Sequence, residues 1–464
     1  MSATPPAVSP KSLSDMRSAC PHAGLSAAAR FDPYWAGIWE AGAHAAWVSA
    51  DSASRQAAAG LAIIPNHLSM SADAGWERLF TPSRLSKQLR VLGALNMWRT
   101  VTAEQLAAIT GIEAIASGRS TDMAAQFALG LTDVGQVGTV LGSTARTARA
   151  ALYRPAATEV FRTKISPRLT YPERIAVTGG LPYASSSQYD RHNVLAAELA
   201  LRVAEYCEIG TVLGERLSGI DLLTGSGIGR PRITGTTRAA DATLVRTDGA
   251  RIAIELTAST GERFENKVRK WAAVLSTLRM AETGLAVLFV IAGRPERKAN
   301  AGVLRDKVLQ TIARAARDYP GVSFDRTASR LLVADWQEWF PSPGKVSPSF
   351  LTLDAIRPTG EHRALWQKAS ALDVFDVEFA PSNPESALAI LENANALGGV
   401  PLWLRTGTGP ALWPLAIAEA GYNRIPVPRP THPTTSAGLR LGAAKGAAGA
   451  ARAPQRLGAP LGRA

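Results

Sequence analysis

Apolar side chains recur with two different periods along this chain, and the change of period divides it. From Thr81 to Trp98, Leu85, Leu89, Leu92 and Leu95 follow a helical spacing, and Pro82 stands where the first turn of a helix accepts proline. Thr102 then offers an N-cap to a shorter helix carrying Leu106 and Ile109, which Gly111 ends. A third helix is expected between about Ser120 and Leu131, closed by Gly135. Val137 to Ala151 and Tyr153 to Leu169 are left to supply two strands. Ahead of these elements, residues 23–80 read as a helical N-terminal element with Trp35 and Trp39 four apart on one face. Residues 1–22, rich in Pro, Ser and Ala, read as disordered.

Three helices, a tight turn between the last two and a following hairpin make the plan of a winged helix-turn-helix, expected over 81–178. The Gly/Pro/Ser-rich stretch 179–188 reads as a linker. From 189 to 345 strands alternate with helices. Leu195, Leu199 and Val203 mark an amphipathic helix, and a short strand ends at Glu215. Thr243–Val245 and Ile252–Leu256 flank an Asp248-Gly249 turn. A helix over Glu262–Met280, the continuous apolar strand Leu285–Ala292, a helix over Glu296–Arg317 and a last strand near Leu331 complete the unit. This is the pattern of an α/β core built around a buried strand. Residues 346–423 read as a helical C-terminal element and 424–464 as a basic, disordered tail.

Charge narrows the partners. The 464 residues carry a net charge of +13, but the acid-free tail 424–464 holds +7 of it, so overall basicity is a poor warrant for a nucleic-acid surface. A local excess of +5 between Gly142 and Arg174 is a better one. Arg146, Arg149, Arg154, Arg162, Lys164 and Arg168 are its candidates for phosphate contacts, and double-stranded DNA is the expected partner. Arg119 and Gln126, at the third helix, are the residue types that read base edges by paired hydrogen bonds, although Asp122 sits among them. Cys20 and Cys207 make neither a CxxC nor a zinc spacing, which fits a reduced, cytoplasmic protein. The longest apolar run is far short of the ~20 residues that span a bilayer, so no membrane partner is expected. "GSGIGR" at 225–230 lacks the GK[ST] ending of a phosphate loop, and no GxSxG is present.

The hairpin carries the sharpest chemistry. Asp241 precedes its first strand, and Glu255 lies on its second. This resembles the PD-(D/E)xK nuclease superfamily, whose acids hold Mg²⁺ against a phosphodiester. The resemblance implies a restriction-endonuclease-like fold with Glu198 and Glu215 as accessory acids. Metal ligands would then be Glu215, Asp241 and Glu255. Two departures stand out: Thr257 occupies the usual lysine position, and Ala240 precedes Asp241 where the motif has proline. Lys267 on the next helix is the candidate replacement, ahead of Lys270. Its place in "ERFENKVRK" equally suits a solvated helix face. His192 could serve as an accessory contact or as an ordinary helix-start residue.

Residues 82–340 as a whole resemble the replication-relaxation family of plasmids and other mobile elements. The matching stretches are "TAEQLAAITG", "RHNVLAAELA" with His192, "GERL" with Glu215, "ADATL" with Asp241, and "IAIELTAS". The resemblance implies a winged helix followed by a nuclease-like domain, and DNA binding linked to replication, relaxation or mobilisation, with proteins of those processes as further partners. Three readings follow. One is a DNA-binding accessory protein with a non-catalytic nuclease-like domain, favoured by Thr257. The second is a Mg²⁺-dependent endonuclease or nickase using Asp241 and Glu255, with Lys267 catalytic. The third is a winged-helix transcriptional regulator.

Overall fold

The structure, a computed structural model, describes residues 9–36, 44–61, 64–138, 151–156, 159–183, 190–223, 239–295, 301–360 and 365–405. The proposed sites Arg146 and Arg149, the loop 224–238 and the basic tail lie outside the described residues.

The start of the chain differs from expectation. Lys11–Ser12 form a strand, β1, and Leu13 is buried behind it. Tyr34 and Trp35 sit in a turn rather than on a helix, because the Asp32 carboxylate accepts both of their backbone N–H groups at 3.0 and 3.3 Å. His44–Val48 is a strand, β2, followed by helices α1 (Ala50–Ala58) and α2 (Ala72–Phe80). The expected helices come next. α3 spans Pro82–Trp98, and a two-residue strand β3 (Val101–Thr102) leads into α4 (Ala103–Thr110). The Thr102 hydroxyl and the Gln105 amide cap α4 reciprocally, and Gly111 closes it in the left-handed conformation. α5 spans Thr121–Ala128 behind the N-cap Ser120.

β4 (Thr132–Gly138) and β5 (Ala151–Pro155) then pair antiparallel in a four-stranded sheet of order β2-β4-β5-β3. Gly135, expected to end a helix, lies in mid-strand. The Trp47 ring of β2 packs against it, and a Cβ there would come within 2.6 Å of that ring. Residues 161–168, expected as a strand, are helical: Phe161 and Ile165, four apart, both turn into the core, and Pro167 offers no ladder donor. α6 (Tyr171–Thr178) follows, with a second reciprocal cap between Thr170 and Glu173.

The second sheet has seven strands. α7 (Asp190–Tyr206) leads into β6 (Thr211–Gly214), β7 (Ala242–Val245) and β8 (Arg251–Thr257), an antiparallel meander. α8 (Glu262–Thr277) crosses to β9 (Leu285–Ile291), parallel to β8. α9 (Ala301–Asp318) crosses to β10 (Leu331–Asp335), parallel to β9. β11 (Lys345–Val346) pairs with β1 at the start of the chain. The C-terminal element is not purely helical. β12 (Asp354–Pro358) and β13 (Trp366–Ser370) extend the sheet to the order β13-β12-β10-β9-β8-β7-β6 before α10 (Pro384–Asn395). The chain is therefore a mixed α/β fold. No helix among the described residues is long and apolar enough to cross a membrane.

Strand alternation sorts the core. Ile252, Ile254 and Leu256 join Ala286, Leu288 and Val290 on the face packed by α7, whereas Ala253, Val287, Phe289 and Ile291 face α8 and α9. The α7-side cluster does not stop at the sheet. It runs on through Leu95 and Trp98 of α3, Leu106 and Ile109 of α4, Leu13 near the start and Leu397 near the end. Packing at the far end is close. A Cβ on Gly93 would lie 2.7 Å from the Ala176 carbonyl and 2.9 Å from Gly398, and the Trp98 indole donates to the Gly399 carbonyl at 2.7 Å.

A charged cluster lies inside this apolar body. Glu198 on α7 is fully buried and accepts from Arg30 at 3.1 Å, Arg202 at 2.9 Å and the Gln105 amide at 3.2 Å. Arg30 also pairs with Glu205, and Arg202 with Asp32 at 2.9 Å. Burial alone would push the Glu198 carboxyl up, but the two guanidinium groups outweigh it and hold the group at about 2. Removing one member of such a set leaves buried charge uncompensated, at a cost of about 3–5 kcal/mol. Glu198→Gln should therefore destabilise the protein by about that amount near neutrality. Because the folded value lies below the ordinary 4.5, the stabilisation is complete above that pH and is lost as pH falls toward about 2. Urea unfolding between pH 7 and pH 2 should show the gap between the two proteins closing across that window; a constant gap would contradict an ionic Glu198.

Candidate active site

The register of the β7–β8 hairpin sets the site. Its turn is fixed locally: Gly249 takes a φ of +87°, Asp248 accepts the Ala250 N–H at 3.0 Å, and Arg246 clamps Asp248. The ladder ends at Ala242 opposite Ile254, and just before it the Asp241 N–H donates to the Ile254 carbonyl at 2.9 Å. That bond and the Leu256 N–H bond to the Asp241 carboxylate lie on either side of Glu255 along β8, and they hold the two carboxyl groups beside one another. A one-residue slip would send Glu255 to the other face of the sheet.

Glu255 is fully buried beneath α8. Lys267 and Trp271 lie four apart on that helix, hence on one face, and each takes one carboxylate oxygen. The Lys267 ammonium pairs with Oε2, and the Trp271 indole donates to Oε1 at 2.6 Å. Thr257 projects from the same face of β8 as Glu255, so the helix delivers an ammonium to the side from which a strand lysine would have come. Asp241 Oδ2 accepts the Leu256 N–H at 2.7 Å, and His192 Nδ1 lies 3.8 Å from it. Burial pushes Glu255 up, and the Asp241 charge adds to it against Lys267. Burial acts on Asp241 too, but Lys267, His192 and the Leu256 N–H together hold it below its ordinary range. Two adjacent carboxyl groups with opposite shifts are the arrangement from which acid and base roles divide.

The other acids are elsewhere engaged. Glu215 opens a helical turn after β6; Asn193 donates to it at 2.8 Å and Arg99 lies 3.9 Å away. Glu198 belongs to the buried cluster with Arg30 and Arg202. Among the described residues, no three His, Cys, Asp or Glu side chains gather as a metal shell, so Glu215 does not complete a set with Asp241 and Glu255. Sequence reasoning missed Trp271 and Asn193. Trp271 was within reach of it, four residues after Lys267. Asn193 was not, because it bridges Glu215 and the Trp98 carbonyl across the fold.

The proposed DNA contacts divide in the same way. Gln126 is fully buried: its amide donates to Gln88 and accepts from Thr132, each at 2.9 Å, so it cannot reach a base edge. α5 as a whole turns Met123 to Phe127 inward, and Arg78 of α2 holds its first turn through Asp122 at 2.8 Å and Thr121 at 2.6 Å. Arg154 pairs with Asp133 at 3.1 Å and lies over the Trp47 ring. Arg119, Arg162, Lys164 and Arg168 are exposed. Arg162 pairs with Glu159, and Arg168 lies over the Trp76 ring at 4.4 Å.

No family model matches the chain, and no curated protein and no solved structure matches it.

Gln126→Ala would strand the buried Gln88 amide and the Thr132 hydroxyl. It should cost about 1–3 kcal/mol of stability and leave DNA affinity unchanged in an anisotropy titration. A DNA surface at 142–174, as expected from the sequence, predicts the reverse of Arg162→Ala with Lys164→Ala: lower affinity and a lower salt slope with little effect on melting. A DNA-binding loss confined to Gln126→Ala would show that α5 turns outward.

Proposed function

We propose that this chain is a metal-dependent DNA phosphodiesterase whose site is Asp241, Glu255 and Lys267. The observation that carries the reading is the ion pair between Lys267 and Glu255, on the carboxyl group next to which the Leu256 N–H holds Asp241. It supplies from α8 the cation missing at Thr257. Element order adds to it: α7, three antiparallel strands, α8 and a parallel strand follow the plan of the PD-(D/E)xK fold. The succession α3, β3, α4, α5, β4, β5 follows that of a winged helix-turn-helix. The resemblance of 82–340 to replication-relaxation proteins makes the substrate double-stranded DNA of a plasmid, phage or other mobile element, handled in replication, relaxation or mobilisation in the cytoplasm.

Asp241 and Glu255 fit a Mg²⁺ ion. Mg²⁺ is commonly held by one or two carboxylates with water completing its shell, and Glu255 would take part by exchanging its Lys267 or Trp271 partner for the ion. Such an ion neutralises charge that builds on a phosphate under attack. The protein's own residues have separate tasks. Lys267, His192 and the Leu256 N–H keep Asp241 ionised, and the Leu256 N–H orients it. Trp271 fixes Glu255 and seals it from solvent. The Lys267 ammonium, partly exposed, sits where it can meet the negative charge of the phosphate.

A second reading, DNA binding without cleavage, has one observation in its favour: both oxygens of Glu255 already have partners. Supercoiled and linear DNA incubated with the protein in Mg²⁺ or Mn²⁺ separate the two. The phosphodiesterase reading expects nicking or cleavage that falls at least about a hundredfold in Asp241→Asn, Glu255→Gln and Lys267→Ala, with DNA affinity retained. Tight binding with no cleavage by the unaltered protein in either metal establishes the second reading instead.

A further inference from the structure

A cavity of about 390 Å³ opens at one end of the seven-stranded sheet, and the functional reading above does not use it. It lies where β8, β9 and β10 end together, since Thr257, Ile291 and Asp335 stand side by side in the parallel register. Ligands of α/β proteins collect outside the carboxyl ends of parallel strands, where connecting loops and helix starts diverge. The first turn of α9 forms one wall, and Ser259 and Thr260 add hydroxyls beyond the end of β8.

The charge of the lining is one-sided. Arg191, Arg294 and Lys307 face a single acid, Asp335, among the described lining residues. Asp335 is turned to its own backbone, where it accepts the Gln337 N–H at 2.8 Å. Arg191 is anchored by its bond to the Ala292 carbonyl at 3.0 Å. Two elements lead from the acid pair toward this cavity. Glu255 and Thr257 are two residues, roughly 7 Å, apart on β8, and Arg191 precedes His192 on α7.

We propose that this cavity receives one unpaired nucleotide of a DNA strand, its phosphate held by Arg294 and Lys307, while the neighbouring phosphate lies at Asp241 and Glu255. The proposal rests on the reading that the chain engages DNA, and it specifies the substrate. At about 390 Å³ the cavity is at the small end of the ~300–1,000 Å³ range of small-ligand sites, a scale that suits one nucleotide rather than a stretch of duplex. The preferred substrate is therefore DNA that is single-stranded or opened at the site, and a closed duplex must surrender one nucleotide to it.

The test uses the full chain and a labelled single strand of about twelve nucleotides, beside the same sequence as a duplex, with anisotropy as the readout. The double variant Arg294→Ala/Lys307→Ala should weaken single-strand binding about tenfold. It should also lower the single-strand salt slope by about 0.7 for each phosphate that is no longer neutralised, and leave duplex affinity nearly unchanged. Arg294→Lys, which keeps the charge, should lose less, and equal melting temperatures establish that all variants fold. Equal losses on single strand and duplex, or no loss on either, overturn the proposal. So does displacement of the strand by micromolar free thymidine monophosphate, which would make the cavity a site for free nucleotides. Asp241→Asn serves as the control. If the unaltered protein never cleaves yet the single-strand preference persists and depends on Arg294 and Lys307, the catalytic reading fails and the nucleotide subsite stands.

Discussion

Glu198 is a carboxylate without access to water, and the arrangement of this protein follows from keeping it satisfied. Its partners come from three parts of the chain: Arg30 from the N-terminal segment, Gln105 from α4 and Arg202 from its own helix. A charge buried in this way tolerates little displacement of its counter-ions. α7 is thereby locked against α4 on one side and against the N-terminal segment on the other. The first turn of the same helix carries Asp190, which accepts from Thr100 at 2.6 Å and from the Trp47 indole at 2.9 Å, and His192, which stands beside Asp241. One helix thus fixes the seam between the two sheets and one wall of the acid site.

The acid site itself is shared between two layers. The sheet contributes the carboxyl groups through backbone register alone, and α8 contributes the cation and the indole through packing. A lysine on the strand would be placed by the strand. A lysine on the helix is placed only when Phe264, Val268 and Leu275 have docked that helix on the sheet. The charge balance of the site is therefore a reporter of tertiary packing, and disturbance of the α8 interface should reach both carboxyl groups through Lys267.

Local chemistry made much of this legible. The caps of α4, the proline at the start of α3, the Asp248-Gly249 turn and the apolar run of β9 act over a few residues, so each element lies close to where its signals put it. What escaped depends on partners distant in sequence. Trp47 keeps Gly135 in a strand, Gln88 and Thr132 draw Gln126 into the core, Arg30 takes Glu198, and Asn193 takes Glu215. Residue type alone made Gln126 a base reader and Glu198 an accessory acid, since an amide or a carboxylate is a plausible surface group until its buried partner is known. The C-terminal strands were missed because β12 and β13 pair with one another across a connection and join the sheet through β10.

The closure of α3 by the far end of the chain has a consequence in time. The Trp98 indole and the Gly399 carbonyl that receives it are separated by 301 residues. At synthesis rates of about 5–20 residues per second, roughly 15 to 60 s pass between the emergence of the two. For that interval α3 has its apolar flank open, as does the Leu13 segment that waits for β11. The nascent chain carries that flank uncovered until the residues around Gly399 emerge, so a ribosome that stalls before them leaves the early half unsealed.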